Sequence, residues 1–139
     1  FRGEGVLVAA ATHPDFIELM RGMLQARGAT ALLLRGTEGE PFANPKRRPR
    51  IEHIHDGAAD VLFEAEHDSL RTLPGLPEAI DAAATARWTR RVLDYQLPLP
   101  KPIANQLACC LFASGYTESL ARAKAIVAVD ANGVAAAHA

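Results

Sequence analysis

The sequence predicts an α/β fold: a partial, mostly parallel sheet flanked by helices, with a β-hairpin and C-terminal helices. Two short apolar runs separated by an amphipathic segment predict a strand–helix–strand unit. An Asp-Gly pair between two strand-like runs predicts the hairpin. The second half shows helical periodicity opened by proline or threonine. The length of 139 residues is that of one ordinary domain.

The first unit is predicted from residues 6–34. Residues 6–10 form a continuous apolar run, which is typical of a strand buried on both faces of a parallel sheet. Pro14 suits the first turn of a helix, apolar residues then recur every three or four positions, and Gly28 ends the helix. Residues 31–34 are the second apolar run. Two such strands joined by a helix predict a right-handed crossover.

The hairpin and three further helices complete the prediction. Residues 51–55 and 61–67 are the expected strands, with Asp56-Gly57 in the turn. The expected helices are three: 77–93 and 102–114, each with proline at its first position, and 117–129, capped by Thr117. Two parallel strands rarely fill an α/β sheet, and the chain opens with Phe1 just before an apolar run. We therefore expect residues 1–139 to be part of a larger α/β domain.

Composition excludes several classes of protein. The chain is 49% hydrophobic and 22% charged with a net charge of −1, which is globular and argues against a globally basic nucleic-acid binder, though not against a local basic patch. No apolar run approaches the roughly 18 residues of a membrane span, so we expect no membrane partner. Adjacent Cys109 and Cys110 bridge each other only with strain. We interpret them as packed thiols of a cytoplasmic protein.

A ligand-edge loop follows the second predicted strand. It consists of Arg35, Gly36, Thr37, Glu38, Gly39 and Glu40. Ligands of open α/β sheets bind at the carboxyl ends of the strands, where this loop begins. Its glycines allow close backbone approach to a phosphate, and its two glutamates are donors suited to Mg²⁺. The alternative is an ordinary strand-exit loop, which often has this composition.

A basic loop comes next in the chain. It consists of Lys46, Arg47, Arg48 and Arg50, which are four of the 15 basic residues, stiffened by Pro45 and Pro49. We predict that these side chains contact nucleic-acid phosphates as exposed charges that contribute little to folding. Because no aromatic residue lies among them, sequence preference should be weak. The alternative is a solvated charge run that aids solubility.

Two further groups of side chains are candidate ligands. Arg87, Arg90 and Arg91 share one helix face and extend the predicted phosphate strip, unless they pair locally with Asp94. Three histidines, His53, His55 and His67, raise the question of a zinc site, but ordinary cross-strand pairing with nearby acids explains them. We predict no metal site, and no nucleophile motif identifies catalytic residues.

The sequence resembles a known enzyme family. Residues 31–41, Asp56-Gly57 and residues 103–129 look like the C-terminal half of the anthranilate phosphoribosyltransferase fold, one of the nucleoside-phosphorylase-like family 3 glycosyltransferases. In those enzymes the strand ends in His-Gly, followed by Asp-Gly-Leu-Asp-Glu, whose last two acids hold Mg²⁺ for phosphoribosyl pyrophosphate. Here Arg35-Gly36 takes the His-Gly place, and the acidic pair falls on Pro41 and Phe42. Neither side chain is a metal ligand, and Glu40 lies one place out of register.

A divergent branch of that family fits more closely, because its loop reads Arg/His-Gly-Thr-Glu-Gly-Glu and then turns basic. Members of the branch are associated with nucleic-acid binding. The resemblance implies a homodimer formed through an N-terminal helical domain, and a glycine-rich phosphate loop, both outside residues 1–139. Two functions stay open: a binding protein for DNA or RNA that needs no cofactor, and a phosphoribosyl or glycosyl transferase using Mg²⁺ and phosphoribosyl pyrophosphate. The unmatched acidic pair favours binding.

Overall fold

The computed structural model describes residues 5–37, 40–68, 76–77, 79 and 81–131. Within these ranges lie four strands and four helices, in the order β1 (Leu7–Ala11), α1 (Pro14–Ala26), β2 (Ala31–Arg35), β3 (Ile51–His55), β4 (Ala58–Phe63), α2 (Ala82–Leu93), α3 (Lys101–Ala113) and α4 (Leu120–Ala131). The α/β fold class is confirmed.

The four strands form one sheet in the order β1-β2-β3-β4. β1 and β2 are parallel, with Leu7 opposite Ala31, as the strand–helix–strand pattern predicts. β2 and β3 are antiparallel, with Ala31 opposite Ile54, and β3 pairs with β4 as a hairpin. The sheet is therefore mixed. The described part of the segment between β2 and β3 holds no crossover helix, and a parallel pairing normally requires one.

Helices cover both faces of the sheet. Leu33 and Ile54 pack toward Leu24 of α1 on one face. Leu32 and Cys109 meet on the other face, where α3 lies, and α4 packs against α3. Because β2 is covered on both sides, its apolar residues are fully buried, which explains their unbroken run in the sequence.

The hairpin turn is the predicted one, but the second strand of the hairpin begins and ends earlier than expected. Asp56 and Gly57 have φ values of 49° and 76°, the left-handed conformations of a type I′ turn. Since this turn has only two residues, Ala58 pairs at once with His55. The expected strand over 61–67 is thus wrong in its bounds, because β4 begins at Ala58 and ends at Phe63.

Two helix starts also differ from the sequence-based expectation. α2 begins at Ala82, five residues after the expected Pro77, because the Asp81 carboxylate accepts a hydrogen bond of 2.7 Å from the Ala84 N–H. At α4 the Ser119 hydroxyl oxygen accepts from the Arg122 N–H at 3.2 Å. The Thr117 hydroxyl instead donates to the Ser119 carbonyl at 3.0 Å, so Thr117 lies in the preceding turn and is not the cap.

The β1 side of the molecule is apolar and open. β1 is an outer strand of the sheet, and its Leu7 is 53% exposed. Phe16, Leu19 and Met23 on α1 are also more than half exposed. Such a surface is what a larger α/β domain would cover, and that expectation stays a prediction. Along the described residues, no helix combines the length and apolar character needed to cross a bilayer.

Candidate nucleic-acid interface

A cavity of about 430 Å³ lies at the carboxyl ends of β1 and β2. Three parts of the chain line it. They are the ends of the two strands (Thr12, Arg35, Gly36, Thr37), the basic loop (Arg47, Arg48, Arg50) and the segment after β4 (Ala65, Glu66, His67). The ligand-edge loop and the basic loop, which the sequence identified separately, therefore contribute to one cavity.

The ligand-edge loop is held tightly against the end of β1. Arg35 Nε donates to the Thr12 carbonyl at 3.1 Å, and the Gly36 N–H donates to the Ala11 carbonyl at 3.1 Å. A Cβ on Gly36 would lie 2.7 Å from the Glu40 carbonyl oxygen, so glycine is required at this position. Thr37 and Glu40 exchange backbone hydrogen bonds, which closes the loop on itself.

The acidic residues of this loop do not form a described metal site. Glu38 and Gly39 lie outside the described residues, and Glu40 is exposed. At the place of the enzymes' acidic pair, the Pro41 carbonyl accepts a hydrogen bond from Gln106, and Phe42 is 39% exposed. Within the described ranges, no three His, Cys, Asp or Glu side chains are grouped so as to hold a metal ion.

Gln106 of α3 joins the two loops to the body of the protein. Its Oε1 accepts from the Ala43 N–H at 2.6 Å, and its Nε2 donates to the Pro41 carbonyl at 2.9 Å. Ala43 is fully buried and Gln106 is 8% exposed. We call this pair of hydrogen bonds the Gln106 clamp. Sequence reasoning missed it, and the available signal was a glutamine directly before the apolar run of α3.

The first half of the basic loop carries unpaired charges. Asn44 Oδ1 accepts from the Lys46 N–H at 2.9 Å, and the Asn44 carbonyl accepts from the Arg47 N–H at 3.2 Å, which forms a tight turn. The side chains of Lys46 and Arg47 are exposed and form no ion pair with any described residue. They are the charges of this loop that are free to meet an anion.

Arg48, in contrast, is bound to the segment after β4. Its Nη1 lies 3.3 Å from Glu66 Oε1, and its Nε donates to the Glu64 carbonyl at 3.0 Å. Its guanidinium also lies 5.2 Å from the centre of the Phe63 ring, within the range of a cation–π interaction. Arg48 therefore contributes packing and hydrogen bonds to the fold as well as charge to the cavity.

Arg50 is bound to a buried carboxylate. Its Nε lies 2.7 Å from Glu52 Oε1, and its Nη1 lies 3.8 Å from Glu64 Oε2. Glu52 is 3% exposed and also accepts two hydrogen bonds from Arg21 of α1, at 2.6 and 3.0 Å. Arg48 is only partly exposed and is paired, so the expectation that all four basic side chains are exposed charges is wrong for it. Arg50 is exposed as expected, but it is paired with a buried carboxylate.

The arginines of α2 lie apart from the cavity. Arg87, Arg90 and Arg91 are exposed, and none of them is among the residues that line it. Arg87 and Arg91 border a separate recess beside Trp88. Among the described residues these arginines form no ion pair, so the expected alternative of pairing with Asp94 is not seen.

The histidines are divided between the hairpin and the cavity. The rings of His53 and His55 lie 4.6 Å apart, and His55 Nε2 lies 2.7 Å from Asp60 Oδ2 on the facing strand. That hydrogen bond raises the pKa of His55, whereas burial lowers the pKa of His53. His67 lines the cavity instead. The cross-strand pairing expected from the sequence accounts for His55.

The chain is similar to a curated bacterial protein. No family model matches the chain. The chain is 36% identical over 118 residues to "Uncharacterized protein YbiB" of Escherichia coli (strain K12), and the matched region is 85% of this chain and 36% of that protein. The chain thus spans about a third of the length of the curated relative it matches.

Proposed function

We propose that this protein is a divergent, anthranilate-phosphoribosyltransferase-like protein of the cytoplasm that binds nucleic acid through phosphate groups, largely without sequence specificity. The observation that carries the proposal is the cavity where the basic loop meets the carboxyl ends of β1 and β2. Arg47 lines this cavity, and exposed Lys46 adjoins it, with neither charge neutralised by a described carboxylate. Remaining parts of its own polypeptide and a second copy, through the family's N-terminal domain, complete the proposed assembly.

Phosphate contacts explain the expected lack of sequence preference. Arginine and lysine bound to phosphate oxygens fix the position of a strand without reading its bases. The basic loop contains no aromatic residue on which bases would stack. Arg87, Arg90 and Arg91 on α2 offer a second basic surface, separate from the cavity, along which the strand would continue.

The second candidate is a phosphoribosyl or glycosyl transferase that uses Mg²⁺ and phosphoribosyl pyrophosphate. The observation in its favour is the position of the cavity at the carboxyl ends of parallel strands, the usual ligand edge of α/β sheets. We rank it second because Pro41 and Phe42 occupy the place of the family's metal-binding acids. A Mg²⁺-dependent heat on titration with phosphoribosyl pyrophosphate would reverse this ranking.

Fluorescence-anisotropy titration of oligonucleotides at several salt concentrations tests the leading proposal. The double substitution Lys46→Ala and Arg47→Ala should weaken binding to unrelated sequences equally. It should also flatten the slope of log K against log salt by up to about 2 phosphate contacts, each of about 0.9 on duplex DNA or about 0.7 on a single strand. These two residues are chosen because removing Arg48 or Arg50 would also disturb the fold.

Arg27→Ala is the matched control. Arg27 is exposed and forms no ion pair with a described residue. It lies just before the amino end of β2, whereas the cavity lies at the carboxyl end of that strand. Its removal takes away one positive charge but should leave the salt slope unchanged. If the double variant binds with the affinity and slope of the unmodified protein, the basic loop is only a solvated surface and the proposal fails.

A further inference from the structure

We infer that the cavity binds a phosphate monoester at the end of a nucleic-acid strand, in preference to a phosphodiester in the strand interior. This inference rests on the proposed function and names the part of the nucleic acid that enters the cavity. Charge and shape carry it.

The charges that line the cavity leave two positive groups unbalanced. Arg48 pairs with Glu66, and Arg50 pairs with Glu52 and Glu64. Arg35 and Arg47 have no carboxylate partner among the described residues. A terminal phosphate carries a charge of about −1.5 to −2 at neutral pH, because its second pKa is near 6. A phosphodiester carries a single charge, so the terminal group better matches two guanidinium charges that no described carboxylate balances.

The shape of the cavity also favours a strand end. Its walls come from three separate segments: the ends of β1 and β2, the basic loop and the residues after β4. A volume of about 430 Å³ lies in the lower part of the range of small-molecule pockets. A strand end can enter such a cavity directly. An interior phosphate carries a nucleoside on each side, so the cavity and its rim would have to accommodate two flanking nucleosides instead of one.

The basic loop supplies one more cation beside the cavity. Lys46 lies outside the lining and is exposed, so it suits the next phosphodiester along the strand.

The test compares oligonucleotides of one sequence with a phosphate or a hydroxyl at the 5′ end, and separately at the 3′ end, by anisotropy at fixed salt. We expect a phosphate on at least one end to tighten binding by about fivefold or more. Arg47→Ala should abolish this preference, and circular dichroism should show that the variant is folded. Lys46→Ala is the matched control: it should weaken both oligonucleotides and leave their ratio unchanged.

Equal affinities for phosphorylated and hydroxyl ends would overturn the inference. If both ends bind equally and binding is still weakened by salt, the proposed function stands while this inference fails. If neither oligonucleotide binds, both fail. A 5′-mononucleotide supplies the same phosphate monoester without the strand. If it binds as tightly as the phosphorylated oligonucleotide, the ligand of the cavity is a small phosphorylated compound and the inference is overturned.

Discussion

The Gln106 clamp should couple the stability of α3 to the shape of the basic loop, and Gln106→Met removes it with little change in side-chain volume. Methionine has the length of glutamine but neither its amide donor nor its carbonyl acceptor. The substitution therefore leaves the Ala43 N–H and the Pro41 carbonyl without their partner. Since Ala43 is followed by Asn44, which shapes the turn at Lys46, the loop should lose its fixed position.

The two backbone groups that lose a hydrogen-bond partner differ in their burial. Ala43 is fully buried, so water cannot replace the acceptor that its N–H loses. The loss of this hydrogen bond should cost about 1–3 kcal/mol. Pro41 is exposed, and water can replace the lost donor, so its loss should cost about 0.5–1.5 kcal/mol. We therefore expect Gln106→Met to lower the free energy of unfolding by about 1.5–4.5 kcal/mol.

Urea unfolding followed by circular dichroism measures this loss, and oligonucleotide anisotropy below the transition measures binding. Gln96→Met is the matched control, because it makes the same chemical change at an exposed position and should alter stability by less than about 0.5 kcal/mol. Equal stabilities of the two variants would refute the clamp. Reduced stability with unchanged affinity would show that the clamp supports the fold but does not position Lys46 and Arg47.

Two further predictions concern His53 of β3 and Cys109 of α3, which lie where α3 packs against the sheet. Burial lowers the pKa of His53, so between the unfolded value of 6.5 and the lower folded value the unfolded chain binds more protons, and stability should fall as pH drops through this window. Urea unfolding from pH 8 to pH 5 should show a smaller loss for His53→Phe, since the opposing effect of His55 is present in both proteins; identical pH profiles would contradict the assignment. Burial also raises the pKa of the Cys109 thiol to about 12, so in a Cys110→Ala background Ellman's reagent should react with it at pH 8 only after unfolding. Reaction of the folded protein at the rate of a free thiol would mean that this thiol is accessible.

Local patterns in the sequence determined the strand–helix–strand unit and the hairpin turn. Unbroken apolar residues in β2 report its burial, and the three-to-four-residue spacing in α1 reports a helix, because each element has its own period. The spacing in α1 does not report burial at every position, since Phe16 and Met23 are more than half exposed. The Asp56-Gly57 turn was also predictable, since few residues adopt the two left-handed conformations that it requires. The two loops of the candidate site were identified for a similar reason: charge and glycine content are local properties.

Only the tertiary structure decided how these pieces act together. The sequence did not show that the ligand-edge and basic loops line one cavity, because that follows from the return of the chain into the same sheet as β3. It also did not separate the free Arg47 from the paired Arg48 and Arg50. Their carboxylate partners lie in β3 and after β4, so the pairs form only when the strands come together. A charge run is visible in the sequence, but which charges are free depends on contacts between residues distant along the chain.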